Sequence, residues 1–582
     1  MKETDGEKKR RAYAERPWLR SYPEGVPLDV DIPVHSLSQA FDEAAGKWSD
    51  RTAIIFYGKR ISYGQLRDLA DRFATALYDL GVRKGDGVAL FLLNCPQFAI
   101  AYLGALKIGA IVVPIGALSV TPEVKRLLED CRAETIVCQD ILYEFVERAD
   151  VGLKRIIVAG IGDYLPPVKK FLGKSLLKGL CRKIRVPRID RGRADNTYLF
   201  ETLVGKYDAA PPSVGIRPAE DVAVISYTAG TTEEAKGVML THANLLAAQR
   251  ITSAFWRGSF EKGRHLEEGK EVSLASLPFS HIHGQVLVLL GGLLQGYTLV
   301  ALTTPDLDDV LHGIGRYRAS VLAAVPSLYA LLNDYEKTGW ISWSGVKLAL
   351  SVADSLPPEV AETWEKRTGI TIHEAYGLTE TGSAVCVNPG GRTKAGSMGV
   401  PLPGTTAAIA RIERPEFIGS GEIGELVVKG PQLMKGYWER ADESAQTLVD
   451  IMGEMWVRTG DLARIDDDGY FYFQERKRDV ITCRGMSIFA REIEDVLKTH
   501  PMVKEAAVIG VPDATMGVVV KAVVIVRGEA RGKLADEEIV RHCRERLEDH
   551  KVPRLIEFRG EIPKTDVGKV SRRELREERS LV

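Results

Sequence analysis

The polar residues best placed to do chemistry crowd behind one apolar run. Residues 222–225 read Val-Ala-Val-Ile, and residues 226–238 read Ser-Tyr-Thr-Ala-Gly-Thr-Thr-Glu-Glu-Ala-Lys-Gly-Val. A strand feeding a turn rich in Gly, Thr and Lys gathers backbone N–H groups, hydroxyls and one ammonium in one place. Those are the donors a polyphosphate needs. Thr228, Gly230, Thr231, Thr232 and Lys236 are the candidates. The stretch is not a Walker loop: G-x-x-x-x-G-K-[ST] does not occur, and Gly173-Lys174-Ser175 lacks the leading glycine. Four further groups lie along the chain that residue type alone would leave as structural or surface positions: His281 and His283; Tyr376, Thr379 and Glu380; Asp461 with Arg476; and Lys569 in a Pro-, Thr- and Gly-punctuated tail. A carboxylate among them could hold a hard cation that keeps its remaining positions for water and phosphate oxygens.

Residues so far apart must be assembled by a large scaffold. From residue 36 onward, helical patterns alternate with short apolar strands at 53–56, 87–92, 111–113, 135–138 and 155–158, which predicts an α/β fold with buried sheets in layers. The run 286–302 is broken by Gly291, Gly292, Gln295 and Gly296 and is too short for a membrane span, so a core helix leading into a strand is expected. After residue 461 the texture changes. Gly-punctuated strands over 468–474, a helix over 491–500, strands at 506–510 and 518–526, and a helix over 536–549 predict a small α+β domain. The expected division is residues 1–477 and 478–582.

A chain of 582 residues exceeds what one core supports, and 45% hydrophobic with 27% charged residues excludes fibrous and disordered classes. A net charge of −1 provides no global field for nucleic acid, which is not expected as a partner. The seven cysteines show no metal-ligand spacing and are expected to be reduced and mostly buried. The charged N-terminus has no apolar segment behind it, so the expected compartment is the cytoplasm. Residues 168–188 hold eight Lys or Arg and no Asp or Glu, with Phe171, Leu172, Leu176 and Leu180 interleaved. That pattern fits either a solvated surface insertion or a basic amphipathic helix resting peripherally on the anionic inner membrane surface.

Taken together, the motifs resemble those of the adenylate-forming superfamily, which holds acyl-CoA synthetases, firefly luciferase and peptide-synthetase adenylation domains. The family loop T-[ST]-G-[ST]-T-G-x-P-K-G is matched by Thr228, Gly230, Thr231, Thr232, Lys236 and Gly237, with departures at Ala229, Glu233 and Ala235. The segment 374–381 resembles Y-G-x-T-E, which implies Tyr376 against adenine, Thr379 on the α-phosphate and Glu380 on Mg2+. The segment 456–461 resembles W-x-x-T-G-D and implies Asp461 on the ribose hydroxyls, for which an acceptor-only carboxylate is suited. The segment 475–479 resembles G-R-x-K, giving Arg476 as a second ribose contact and Arg478 as a hinge, with Glu475 and Arg478 as departures. The tail 563–569 resembles P-x-T-x-x-G-K and implies Lys569 as the adenylation lysine. His281, in a segment similar to L-P-x-x-H-x-x-G, would stand near the substrate carboxylate, and Gly485 would let pantetheine approach the backbone.

The resemblance implies a large multi-lobed N-terminal domain and a small mobile C-terminal one. It also implies an ATP-dependent acid:CoA ligase: a carboxylic acid is activated as its acyl-adenylate with release of pyrophosphate, then passed to coenzyme A with release of AMP. ATP, Mg2+ and coenzyme A are the implied cosubstrates and ion. The insertion at 164–173 looks like one in bacterial medium- and long-chain fatty acid:CoA ligases. Residues 351–356, Ser-Val-Ala-Asp-Ser-Leu, depart from the family's S-G-[AG]-A-P-L and put bulk and a carboxylate near the expected pocket, which suits a short, aromatic or alicyclic acid. Loading of a carrier protein, or a degenerate nucleotide-binding protein, are the other readings. The sequence leaves oligomeric state open.

Overall fold

The structure is a computed structural model describing residues 13, 15–166, 196–228, 235–257, 265–303, 306–412, 414, 416–483, 486–513, 517–528, 534–564 and 570–577. The basic stretch 168–188 lies outside them. Among the described residues no helix is long and apolar enough to cross a membrane.

Two large sheets form the bulk. The first runs Gly436–Tyr437, Gly237–Thr241, Val222–Tyr227, Ile111–Pro114, Gly87–Phe91, Thr135–Gln139, Arg155–Ala159, Thr197–Leu199. The second runs Val400–Pro401, Ser383–Val387, Ile372–Leu378, Leu348–Ser351, Val321–Ala324, Val272–Ala275, Thr298–Ala301, Thr52–Phe56, Lys59–Ser62. Their interiors are parallel, which is why the strands read as unbroken apolar runs: helices cover both faces, so side chains on either side are buried. All five strands expected between residues 53 and 158 form.

Helix starts are written locally. Ser36 and Ser62 each accept from the backbone N–H three residues on, while Gln39 and Gln65 reach back to the serine N–H. These reciprocal caps satisfy two otherwise unpaired donors apiece. Thr241 and Asn244 do the same ahead of the helix His242–Arg257, which follows the phosphate-loop strands. The apolar run 286–302 becomes a π-helical turn Gly284–Leu290, a helical turn Gly291–Leu293 and the strand Thr298–Ala301.

A third sheet of antiparallel strands comprises Thr406–Ala410, Gly424–Lys429, Glu454–Ile465 and Leu448–Ile451, with Phe471–Arg476 paired to Glu454–Ile465. After the 3-10 turn Lys477–Asp479 the chain builds a separate core around Ile488, Ile493, Leu497, Val508, Val520 and Val524. Its strands are Val503–Asp513, Gly517–Val526 and Leu555–Phe558. The helix expected over 536–549 stops at Arg544, because the Arg546 N–H bonds the Cys543 carbonyl and tightens the last turn before a 3-10 turn at Asp549–Lys551. The six cysteines described are free and buried.

Candidate active site

Three structural elements bring the predicted nucleotide residues together. Tyr376 lies on the strand Ile372–Leu378, and Asp461 on Glu454–Ile465. The Tyr376 hydroxyl donates to Asp461 Oδ2 at 2.6 Å. Antiparallel register then sets Arg476 opposite Asp461, with its Nε 3.8 Å from Oδ1. Asp461 is buried, and burial together with that carboxylate holds the Tyr376 phenol well above its ordinary pKa, so it remains a donor. The turn before Asp461 is fixed too: Thr459 donates to the Leu426 carbonyl and accepts from the Asp461 N–H.

The same strand delivers Thr379 and Glu380. The chain doubles back so tightly that a Cβ on Gly377 would stand 1.9 Å from the Ser383 carbonyl oxygen, which only glycine permits. Thr381 ties the turn by donating toward the Leu378 and Ser383 carbonyls and accepting from the Leu378 N–H. The half-buried Glu380 accepts at Oε1 from the Tyr437 hydroxyl at 2.8 Å. Burial, then the Glu380 charge, raises the Tyr437 pKa far out of the working range.

Tyr437 links this turn to the phosphate-loop strands. It pairs with Val238 in register, and Lys236 Nζ lies 5.3 Å from its ring centre. Lys236 also forms a 2.6 Å ion pair with Glu443, on the helix Ala441–Thr447. At the base of the loop, Thr228 and Lys236 bond each other twice: the Thr228 N–H donates to the Lys236 carbonyl and the Lys236 N–H to Thr228 Oγ1. Gly230, Thr231, Thr232, Gly485 and Lys569 lie outside the described residues, as do Ala229 and Glu233. Both flanks of Lys569's segment are described, and Lys564 bridges Val570. Arg478 is in the turn Lys477–Asp479.

His281 precedes the π-helical turn, where its Nδ1 accepts from the His283 N–H at 3.3 Å and the two rings lie 5.1 Å apart. Asn94 anchors this segment by donating to the Ala275 and Leu277 carbonyls and accepting from the Phe279 N–H. Around the departing segment 351–356, Val352 is buried in the core and Asp354 is exposed, its Oδ1 accepting from the Ser355 N–H. The bulk therefore packs inward and the carboxylate meets solvent.

A Mg2+ site can be judged on donor chemistry. No group of three or more His, Cys, Asp or Glu able to hold a metal occurs among the described residues. A single half-buried carboxylate, Glu380, suits an ion that takes most of its ligands from phosphate and water. Sequence reasoning missed Tyr437, Glu443, Glu374 and Arg491. The bond from Tyr437 to Glu380 joins residues distant in the chain. Nothing local marks Glu443 as Lys236's partner.

Comparison with known proteins follows the same collinear order. The family model for AMP-binding enzyme matches residues 41–438, and that for the AMP-binding enzyme C-terminal domain matches 492–569. A long-chain-fatty-acid–CoA ligase of Bacillus subtilis (strain 168) is 35% identical over 570 residues, covering 97% of this chain and 98% of that protein. ATP-bound MatB from Rhodopseudomonas palustris superimposes with a TM-score of 0.79 at 26% identity, covering 94% of this chain and 99% of that one. Apo MatB from the same organism gives 0.69 at 26% identity, with the same coverage.

Proposed function

Because the chain belongs to the AMP-binding enzyme family, we propose that its substrate is a long-chain fatty acid, activated with ATP and joined to coenzyme A. It is an AMP-forming acyl-CoA synthetase, a ligase that makes a carbon–sulfur bond. The observation that carries the substrate reading is the near full-length similarity to a protein named long-chain-fatty-acid–CoA ligase.

In the first half-reaction a carboxylate oxygen attacks the α-phosphorus of ATP in line, forming the P–O bond of the acyl-adenylate while pyrophosphate departs. Little covalent work falls to the protein, so positioning and charge stabilisation dominate. Tyr376 packs against adenine, and Asp461 accepts from the ribose hydroxyls with Arg476 beside it. Thr228, Gly230, Thr231, Thr232 and Lys236 hold the β- and γ-phosphates, and Thr379 contacts the α-phosphate. Glu380 holds Mg2+, which when bound offsets negative charge on the phosphates. Lys569 meets both the carboxylate and the α-phosphate, where two anions approach each other. His281 lies beside the carboxylate.

In the second half-reaction the thiol of coenzyme A loses its proton, its sulfur attacks the acyl carbonyl, and AMP leaves. One lysine cannot occupy the site in both steps, so residues 478–582 turn about Arg478, withdrawing Lys569 and presenting Gly485 to pantetheine. Residues 168–188 supply a peripheral membrane contact at which fatty acids are collected.

The test is pyrophosphate release with Mg-ATP across acids from acetate to palmitate, plus benzoate, with and without coenzyme A. Turnover greatest with long-chain acids, dependent on coenzyme A and abolished in Lys569→Ala, is the expected result. Preference for benzoate or acetate would overturn the substrate reading. Pyrophosphate release indifferent to coenzyme A would redirect the search to another acceptor.

A further inference from the structure

Two of the chain's departures from the family pattern meet at one arginine. Ser355 stands where S-G-[AG]-A-P-L has proline, and Glu475 stands where G-R-x-K has glycine. Arg491, on the helix Ala490–Lys498 of the C-terminal part, bonds both. Its Nη1 donates to Ser355 Oγ at 2.7 Å, and its backbone N–H donates to Glu475 Oε2 at 2.8 Å. The guanidinium also lies 5.2 Å from the Phe473 ring centre. We propose that Arg491 is a positioning residue that fastens the C-terminal part to the loop 352–355 during acyl-adenylate formation and lets go for thioester formation. This rests on the two-step ligase reading above.

The loop gives the contact something to act on. It leaves the second large sheet at Ser351, which is paired in register with Glu374, two residues before Tyr376. Ala353 holds a φ of 74°, a left-handed conformation costly for any residue with a Cβ. Such a conformation persists only where the surroundings dictate it. From the N-terminal side, Glu374 Oε1 accepts from the Leu356 N–H at 3.3 Å. From the C-terminal side the hold is Arg491. Burial pushes the Glu374 carboxyl up to about 8, and the Arg491 charge acts against that shift, so the guanidinium and this carboxyl sense each other across the same junction.

Glu475 extends the fastening to the ribose end. Buried, it accepts at Oε1 from the Arg476 N–H at 3.0 Å, while Arg572 lies 3.7 Å away and also pairs with Glu494 at 2.7 Å. Arg491 thus joins the strand bearing Arg476 to the loop beside Tyr376's strand, and does so only while the C-terminal part is seated as here. Both ends of the contact lie beside strands that carry residues read as binding ATP, Tyr376 on one side and Arg476 on the other, which assigns the contact to the first half-reaction.

The experiment separates the two steps. Acid-dependent exchange of pyrophosphate into ATP reads the first; thioester formation from supplied acyl-adenylate and coenzyme A reads the second. Arg491→Ala should slow exchange about tenfold, as expected for loss of a hydrogen bond from a charged group, with the second step changed by less than about twofold. Ser355→Ala, a milder change that spares the fold, should slow exchange in the same selective way. The double variant should be no slower than Arg491→Ala, because both remove one contact. Arg491→Lys, which keeps charge and the backbone bond, should recover part of the exchange. Equal losses in both steps, or an unchanged exchange rate in Ser355→Ala, would overturn the proposal. An unaltered protein inactive in both assays with every acid would instead sink the ligase reading.

Discussion

Asp461 and Lys236 stand at opposite ends of one line of contacts, and they are prepared differently. Asp461 is buried on a strand, held by the Tyr376 hydroxyl and faced by Arg476 across a hairpin. Lys236 ends a loop and is paired with Glu443, itself partly exposed on a two-turn helix. Between them run the strand Ile372–Leu378, Glu380 and Tyr437. The first end is held by the chain's own contacts. At the second, on the role proposed for Lys236, an incoming phosphate would displace a resident carboxylate. On the proposed roles, one end provides fixed recognition, while the other exchanges one negative partner for another, as suits an enzyme that must release pyrophosphate.

The comparison is broken most severely at its rigid end. Asp461→Ala should lower kcat/KM for ATP by about 100-fold, since it removes a charged acceptor and leaves Tyr376 and Arg476 without it. Pyrophosphate exchange at varied ATP measures this; a loss under about threefold would show that Asp461 is structural. Tyr376→Phe keeps the ring and deletes one bond to that carboxylate, and about a tenfold loss is expected in the same assay. An equal loss in both variants would mean that the hydroxyl, rather than the carboxylate, does the binding.

At the exchanging end the expected sign reverses. Glu443→Gln removes the anion that competes for Lys236, so KM for ATP should fall about threefold, the scale of a partly exposed ion pair, with kcat moving less. Added salt should narrow the gap between variant and parent, because it screens the pair in the parent. A rise in KM would mean that Glu443 aims Lys236 rather than occupying it.

Both ends were legible in the sequence, but at the exchanging end only Lys236 was, and not the carboxylate that holds it. Asp461, Arg476 and Tyr376 were reached through short motifs that resemble the family's, and hairpin register brings Asp461 opposite Arg476. The buried sheets were readable as short apolar runs separated by helical patterns. Glu443, Tyr437 and Arg491 owe their roles to partners far along the chain or in another sheet, which no window of sequence contains. Ser355 and Glu475 were visible only as departures. Their meaning emerged once Arg491 was seen to bond both. The helix end at Arg544 was missed because a 3-10 closing turn depends on one carbonyl's choice of partner.

The smallest expected effect lies in the loop beside the rigid end. If rigidity there is imposed on an unwilling backbone, relieving the backbone should stabilise the fold. Ala353 sits at φ 74°, and an L-residue in that region loses roughly 1–2 kcal/mol relative to its preferred conformations. Glycine carries no such penalty, but its greater freedom in the unfolded chain offsets roughly 0.5–1 kcal/mol. Ala353→Gly should therefore raise stability by about 0.5–1 kcal/mol, read as a higher urea midpoint at unchanged slope. Ala353→Val should lower the midpoint, since a β-branched side chain tolerates the left-handed region least. Were glycine to lower it as well, the loop would be held by the alanine methyl's packing instead, and the strain attributed to Ala353 would have to be withdrawn.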